Sequence, residues 1–437
     1  KIMDVIISGN KNIVKFMYSM GTCLNCNDET KISKFNYIRN DKKGYLIYNT
    51  LYNSLVRLSP LEYEKLLGKK KTGKELRKNF KKHGLIIAEK LDEMDIYNQW
   101  CSLQRKVDRP YISINITATL KCNARCYYCY ESGVKHSDFE EKQLFLLIKF
   151  LKERVRENDT LLLNWFGGEP LMNKKVLNFV SNELKRYGIS FCSYIITNGS
   201  LINKKMVTTD FIRWNVKDVQ ITLDGLGETY EKRKAYIDQK RNIFLRILQK
   251  IELVAKNGVR VHIRLNVDRR NKMEILDLLK LLNTNFGQLN EVTWYPAFLT
   301  GIGDDLTEDE KVSFVKDMLY ITQNPAKMNI GRRLYSMPKI RACMRNDPKS
   351  FSIDVFGHVY SCEHLVGRKE KFIGTLKEFD DQKNLCRTNV TLREECKKCV
   401  FLPKCMGGCA ANLETNDEAC MIEKYMIQGY LAYLAEQ

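Results

Sequence analysis

Six apolar, β-prone segments alternate with stretches of helical periodicity between residues 110 and 300. They are Tyr111–Thr117, Thr160–Phe166, Ser190–Ile196, Val219–Leu223, Val259–Val267 and Glu291–Tyr295. The stretches between them carry apolar residues at helical spacing, as in Phe139 to Arg156 and Met273 to Leu282. Strands separated by a helix of this length pair in parallel, because only a long crossover returns the chain to the same end of a sheet. The expected fold class is therefore α/β, with a partial (β/α)6 TIM-like barrel over residues 110–300. Chemistry in such a sheet gathers at the carboxyl ends of the strands.

The flanks read differently. In residues 32–105, Phe35–Ile38, Gly44–Tyr48 and Ser54–Leu58 are three short strands between turn residues. Ser59-Pro60 then opens a helix, with Ser as N-cap and Pro at the first helical position. Lys74 to Lys82 and Leu91 to Gln104 follow as two more helices, so a winged-helix-like α+β domain is expected. Residues 1–31 form an N-terminal extension with apolar stretches at Ile2–Ile7 and Ile13–Met20. Residues 301–339 bridge to a cysteine-dense region, 340–425, that has little periodicity and is expected to draw its core from metal. A helix from Met421 to Glu436 closes the chain, with residues 426–437 as the terminal unit.

The fifteen cysteines cluster in C-x2-C and C-x3-C groups, which points to metal rather than disulfides and to a reducing, cytoplasmic setting. Cys122, Cys126 and Cys129 form a C-x3-C-x2-C loop directly after the first barrel strand. Three thiolates hold three irons of a [4Fe–4S] cube and leave the fourth iron open to a ligand. Structural zinc is the competing reading, but it requires four closed ligands and no fourth stands near this loop. A second array runs Cys343, thirteen residues, Gly357, four residues, Cys362, then Cys396-x2-Cys399-x5-Cys405-x3-Cys409, and Cys420. The formal charge of +20 is spread among interspersed acids and bases, so solvated helix faces or an acidic peptide account for it, and nucleic acid is not an expected partner. No apolar run reaches the ~18 residues of a membrane span, and neither a membrane partner nor a signal peptide is expected.

The three-cysteine loop, with the aromatic Tyr128, resembles the radical S-adenosylmethionine (radical SAM) superfamily. Asn164-Trp-Phe-Gly-Gly-Glu-Pro170, after the second barrel strand, is similar to that family's GGEP motif. The resemblance implies that Gly167, Gly168, Glu169 and Pro170 hold the amino group of S-adenosylmethionine. Asn198, Thr222, Asp224 and Asn266 stand at further strand ends and are implied as cofactor contacts. Arg233 is a candidate for the cofactor carboxylate, which its fork of donors suits.

The C-terminal array resembles the SPASM domain, which carries two auxiliary [4Fe–4S] clusters. The resemblance implies one cluster on Cys396, Cys399, Cys405 and Cys420, and another on Cys343, Cys362 and Cys409 that is one ligand short. Either a substrate cysteine thiolate or a protein group such as Cys386 fills that place. Related sulfatase-maturating enzymes use an acidic residue after this cysteine to remove a substrate proton, which makes Glu363 the candidate catalytic base. Cys192 reads as a small core residue.

Residues 32–105 resemble the RiPP recognition element, which implies that a precursor peptide's leader adds as a strand beside the third strand. Residues 1–31, with Cys23 and Cys26, are then either a simple extension or a tethered substrate-like segment. Together these resemblances imply a peptide maturase that forms Cys thioether crosslinks through a 5′-deoxyadenosyl radical. It would use three [4Fe–4S] clusters, S-adenosylmethionine and an electron donor such as flavodoxin or ferredoxin. Carbon–carbon crosslinking and formylglycine generation remain alternatives.

Overall fold

The computed structural model describes residues 3–9, 16, 29–238, 242–301, 303–335, 338–339, 343–385, 392–409 and 420–437. Cys23, Cys26 and Cys386 lie outside the described residues.

The N-terminal region contains β1 (Asp4–Ile7), β2 (Thr30–Ile32), β3 (Asn36–Asp41), β4 (Gly44–Asn49), β5 (Ser54–Leu58) and β6 (Ile86–Ala88). One antiparallel sheet runs β1-β5-β4-β3, and β2 pairs with β6. Helices Pro60–Leu66, Lys74–Lys82 and Glu93–Lys106 complete the region. The first starts where the sequence places it: Ser59 Oγ accepts the Glu62 N–H, Glu62 returns a bond to the Ser59 N–H, and Pro60 needs no donor. Alternate residues of β4 and β5 bury Ile47, Val56 and Leu58 against Leu66, Leu76 and Phe80 of the first two helices.

Six further strands form the large sheet: β7 (Tyr111–Thr119), β8 (Thr160–Gly167), β9 (Phe191–Thr197), β10 (Val216–Leu223), β11 (Arg260–Val267) and β12 (Val292–Phe298). All five pairings among them are parallel and sequential, and β12 does not close onto β7. This is the open, partly closed α/β barrel expected from the alternation. Side chains directed at the helices, such as Trp165, Ile195, Ile221, Ile263 and Trp294, are fully buried. The opposite face carries Asn115, Asn164, Tyr194, Gln220 and Tyr295, which bond one another across the strands. A lumen lined with polar groups is suited to a ligand rather than to packing.

Residues 340–425, whose sequence carries little periodicity, contribute strands to this sheet. β13 (Ser350–Ile353) pairs in parallel with β7, and β14 (His358–Tyr360) and β15 (Gly374–Thr375) extend the sheet antiparallel. The exposed edge of β7 accepts them, because an open barrel leaves that ladder unpaired. The last helix, Ile422–Glu436, lies on helix Glu308–Thr322, and Gly429 allows the approach: a Cβ there would stand 2.5 Å from Val315 Cγ1. Among the described residues no helix is long and apolar enough to cross a membrane.

Candidate active site at the barrel mouth

The loop after β7 turns at once: Cys129 N–H bonds the Cys126 carbonyl at 3.1 Å, and Ala124 N–H points at Cys122 Sγ at 3.4 Å. Two straps hold it to the end of helix Gly227–Lys234 and the residues just after it, Arg125 N–H to the Lys234 carbonyl and Ile237 N–H to the Asn123 carbonyl, both at 2.9 Å. All three thiols are half-buried. Burial pushes the Cys122 thiol up to about 11, and the neighbouring Glu169, Cys126 and Cys129 add to it. The three sulfurs thus share one electrostatic neighbourhood.

The Gly167–Pro170 turn abuts this loop. Gly167 adopts φ +102°, which other residues rarely do. A Cβ on Gly168 would stand 2.2 Å from the Lys121 carbonyl oxygen and 3.1 Å from Cys122 Cβ, so only glycine lets the turn reach the first cysteine. The Glu169 carboxylate is fully buried and engaged within the chain. It accepts from Thr197 Oγ1 (2.7 Å), Asn198 N–H (2.8 Å) and Leu171 N–H (3.1 Å). It braces the turn against the end of β9, while Gly168 N–H bonds the Thr119 carbonyl (3.0 Å) and Glu169 N–H the Lys121 carbonyl (2.9 Å). Pro170 begins the short helical turn Pro170–Asn173, and Asn198 Nδ2 donates to Asn123 Oδ1 of the cysteine loop at 2.8 Å.

Asp224, just after β10, is completely buried. Its Oδ2 accepts from Tyr128 Oη (2.6 Å) and pairs with Lys234 Nζ (3.0 Å), while its Oδ1 is buried with no hydrogen-bond partner among the described residues. Thr222 is half-buried on the same strand. Asn266 Oδ1 accepts from Arg264 Nε at 2.9 Å. Arg233 bonds Asp268 Oδ2 at 2.7 Å, and Tyr127 Oη donates to the same oxygen at 2.6 Å. Arg233 is thus held by a carboxylate of this chain. Asp268 and Lys234 escape sequence reading. Their only signal is position, two residues past Asn266 and one past Arg233.

The C-terminal cysteines fall into two places. Cys396, Cys399, Cys405 and Cys420 line one cavity with Phe401, Leu402 and Met421. Cys362 is buried, and its thiol is raised first by burial, then by Glu363, with Cys343 and Cys409 adding to it, which puts these three together. Among the described residues no three His, Cys, Asp or Glu side chains converge on a single ion.

The two regions meet at the barrel mouth. Tyr130, next to Cys129, packs on His364, next to Glu363, with ring centroids 4.7 Å apart. Glu363 Oε2 accepts from Asn115 Nδ2 of β7 at 3.1 Å. The donor set, the glycine cradle and the orphaned Asp224 oxygen all fit an iron–sulfur cluster with a hydroxyl-bearing cofactor beside it.

Residues 116–282 match the Radical SAM superfamily, and the chain contains a radical SAM domain. A GTP 3′,8-cyclase of Clostridium perfringens (strain SM101 / Type A) is 30% identical over 188 residues, 42% of this chain and 55% of that protein. The chain thus matches about half the length of that relative. A cysteine-type anaerobic sulfatase-maturating enzyme of Clostridium novyi (strain NT) is 24% identical over 335 residues, 68% of this chain and 87% of that protein. Among solved structures, anSMEcpe with bound AdoMet superimposes with a TM-score of 0.58 at 19% identity, covering 74% of this chain and 96% of that one. Streptococcus suis SuiB bound to precursor peptide SuiA gives 0.50 at 16%, covering 89% and 97%. At these identities the structures show a shared fold.

Proposed function

We propose that this chain, whose residues 116–282 form a radical SAM domain, joins cysteine sulfur to carbon within a ribosomally made precursor peptide. The observation that carries the reading is the junction at the barrel mouth. Tyr130–His364 and Asn115–Glu363 bring the three-cysteine loop and the Cys362 turn to one side of a polar lumen. A radical source and a sulfur-holding site must lie together for a carbon–sulfur bond to form. Support also comes from the SuiB neighbour, which was solved with a precursor peptide.

When bound, S-adenosylmethionine and three [4Fe–4S] clusters supply a hydrogen-abstracting 5′-deoxyadenosyl radical and take up the electron left when carbon and sulfur join. Cys122, Cys126 and Cys129 would hold the first cluster. Cys396, Cys399, Cys405 and Cys420 would hold a closed auxiliary one, and Cys343, Cys362 and Cys409 one open to a substrate thiolate. The Gly167–Pro170 turn would hold the cofactor amino group. Asp224 Oδ1, with Thr222, Asn198 and Asn266, would meet its hydroxyls. Arg233, oriented by Asp268, would take its carboxylate. Glu363 accepts the proton that the substrate thiol loses, and Asn115 aims it. The region 32–105 holds the peptide leader on the β5 edge, and a flavodoxin or ferredoxin in the cytoplasm delivers electrons.

The sulfatase-maturating relative favours a second reading, oxidation of a peptide cysteine to formylglycine. Anaerobic turnover with a synthetic cysteine-containing precursor peptide that carries a leader segment, followed by tandem mass spectrometry, separates the two. Loss of two hydrogens at a mapped Cys-to-carbon link supports the proposal. Formylglycine, a carbon–carbon link, or 5′-deoxyadenosine without a modified peptide overturns it.

A further inference from the structure

The outer edge of β5 is already occupied, by the chain's own β1. The pairs are Asp4↔Arg57, Val5↔Val56 and Ile7↔Leu55, with a break in register between Val5 and Ile7. Two side chains anchor the strand. Met3, 6% exposed, packs with Val56, Leu58, Leu66 and Phe80, and Ile7, 5% exposed, packs with Leu46, Tyr48 and Leu55. The Met3 N–H bonds Glu62 Oε1 at 3.0 Å, and the Asp4 carboxylate stands 4.0 Å from Arg57. Gly9 passes so close to the turn between β4 and β5 that a Cβ would meet the Tyr52 carbonyl at 2.8 Å.

Several features make this a weak, replaceable strand. It has four residues, and its ladder is interrupted. Val5 at its centre is 40% exposed. Met3 sits at φ +64°, a left-handed conformation that a non-glycine residue adopts at a cost. Residues 8–29 lie between it and β2, and among the described residues its only ladder is the one with β5, so its release breaks no other strand pairing.

We infer that β1 is an exchangeable occupant of the peptide-docking edge. An extended peptide with two apolar residues four apart and a carboxylate opposite Arg57 binds beside β5 only by displacing Asp4–Ile7, so the chain gates its own substrate docking. This rests on the reading above that β5 receives the precursor's leader. Strand addition draws its affinity from main-chain hydrogen bonds, which β1 and an incoming peptide satisfy equally. A tethered strand competes at an effective concentration of the order of millimolar.

The test uses a fluorescent synthetic peptide of residues 1–9 and follows its anisotropy on three cluster-reconstituted proteins. These are the full chain, a variant lacking residues 1–9, and full-length Val5→Pro, in which a donor is removed from β1. The expected result is that the truncated variant binds the peptide about tenfold or more tightly than the full chain, with Val5→Pro in between. Equal affinity for the full chain and the truncated variant overturns the inference, as does a folded truncated variant that does not bind. If truncation prevents folding, judged by cluster absorbance and thermal midpoint, Val5→Pro against the full chain carries the same comparison. Binding is read here without turnover, so it fails or succeeds separately from the product-mass experiment.

Discussion

Asn115 Nδ2 donates to Glu363 Oε2 at 3.1 Å, and Asn164 Nδ2 donates to Asn115 Oδ1 at 2.7 Å. The second bond fixes which end of the Asn115 amide faces the carboxylate. Glu363 is thereby aimed by two barrel strands, although it belongs to the cysteine-rich region. Glu363→Gln is expected to slow crosslinked product about 100-fold, and Asn115→Ala about tenfold, while 5′-deoxyadenosine still forms in both. Chromatography of 5′-deoxyadenosine alongside mass spectrometry of the peptide checks this. An equal fall in both products would make Glu363 a structural residue.

Glu169→Ala removes the acceptor for three groups, two of them backbone N–H donors. Each buried donor left unpaired costs about 1–3 kcal/mol. The variant is expected to lose stability in urea denaturation and to bind S-adenosylmethionine more weakly in equilibrium dialysis, because the Gly167–Pro170 turn loses its brace. Unchanged cofactor affinity would show that the turn holds its shape alone.

Acid stability should depend on Asp268. Burial works to raise its carboxyl, but the bonds from Arg233 and Tyr127 outweigh burial and hold it below the ordinary value of 3.8. A lowered folded value contributes stability that is full above 3.8 and is lost as pH falls through the folded value. Iron-free wild-type chain is therefore expected to lose more urea stability between about pH 6 and about pH 3 than Asp268→Asn. Parallel pH profiles for the two would exclude the pair.

Cys405→Ala is expected to lower reconstituted iron by about four atoms per chain. It should also loosen the N-terminal region, because Phe401 packs on Tyr37, and Leu402 shares a buried cluster with Phe35 and Leu51. Iron assay and limited proteolysis check both effects. Chelation of the wild-type chain should reproduce the second.

Much of the barrel is legible in the order of residues. The β7–β12 alternation shows in the chain because each strand buries one face under helices, and that leaves a local pattern of period two. The Ser59-Pro60 helix start is legible for a similar reason: a cap is a contact over three residues. The spacing of Cys122, Cys126 and Cys129 is equally open, since three cysteines in one tight loop are a local pattern. Strand ends shift by a few residues, as at Val292–Phe298 against the expected Glu291–Tyr295.

The amino-acid order alone determined the parallel α/β sheet, the helix starts and the grouping of cysteines, all of which depend on neighbours within a turn or a loop. Only the tertiary structure decided that β13 joins β7, that β1 covers β5, that Asn115 aims Glu363 and that Asp268 holds Arg233. Those choices depend on which strand edges and which buried oxygens remain unsatisfied once the barrel has formed, and no local periodicity records them.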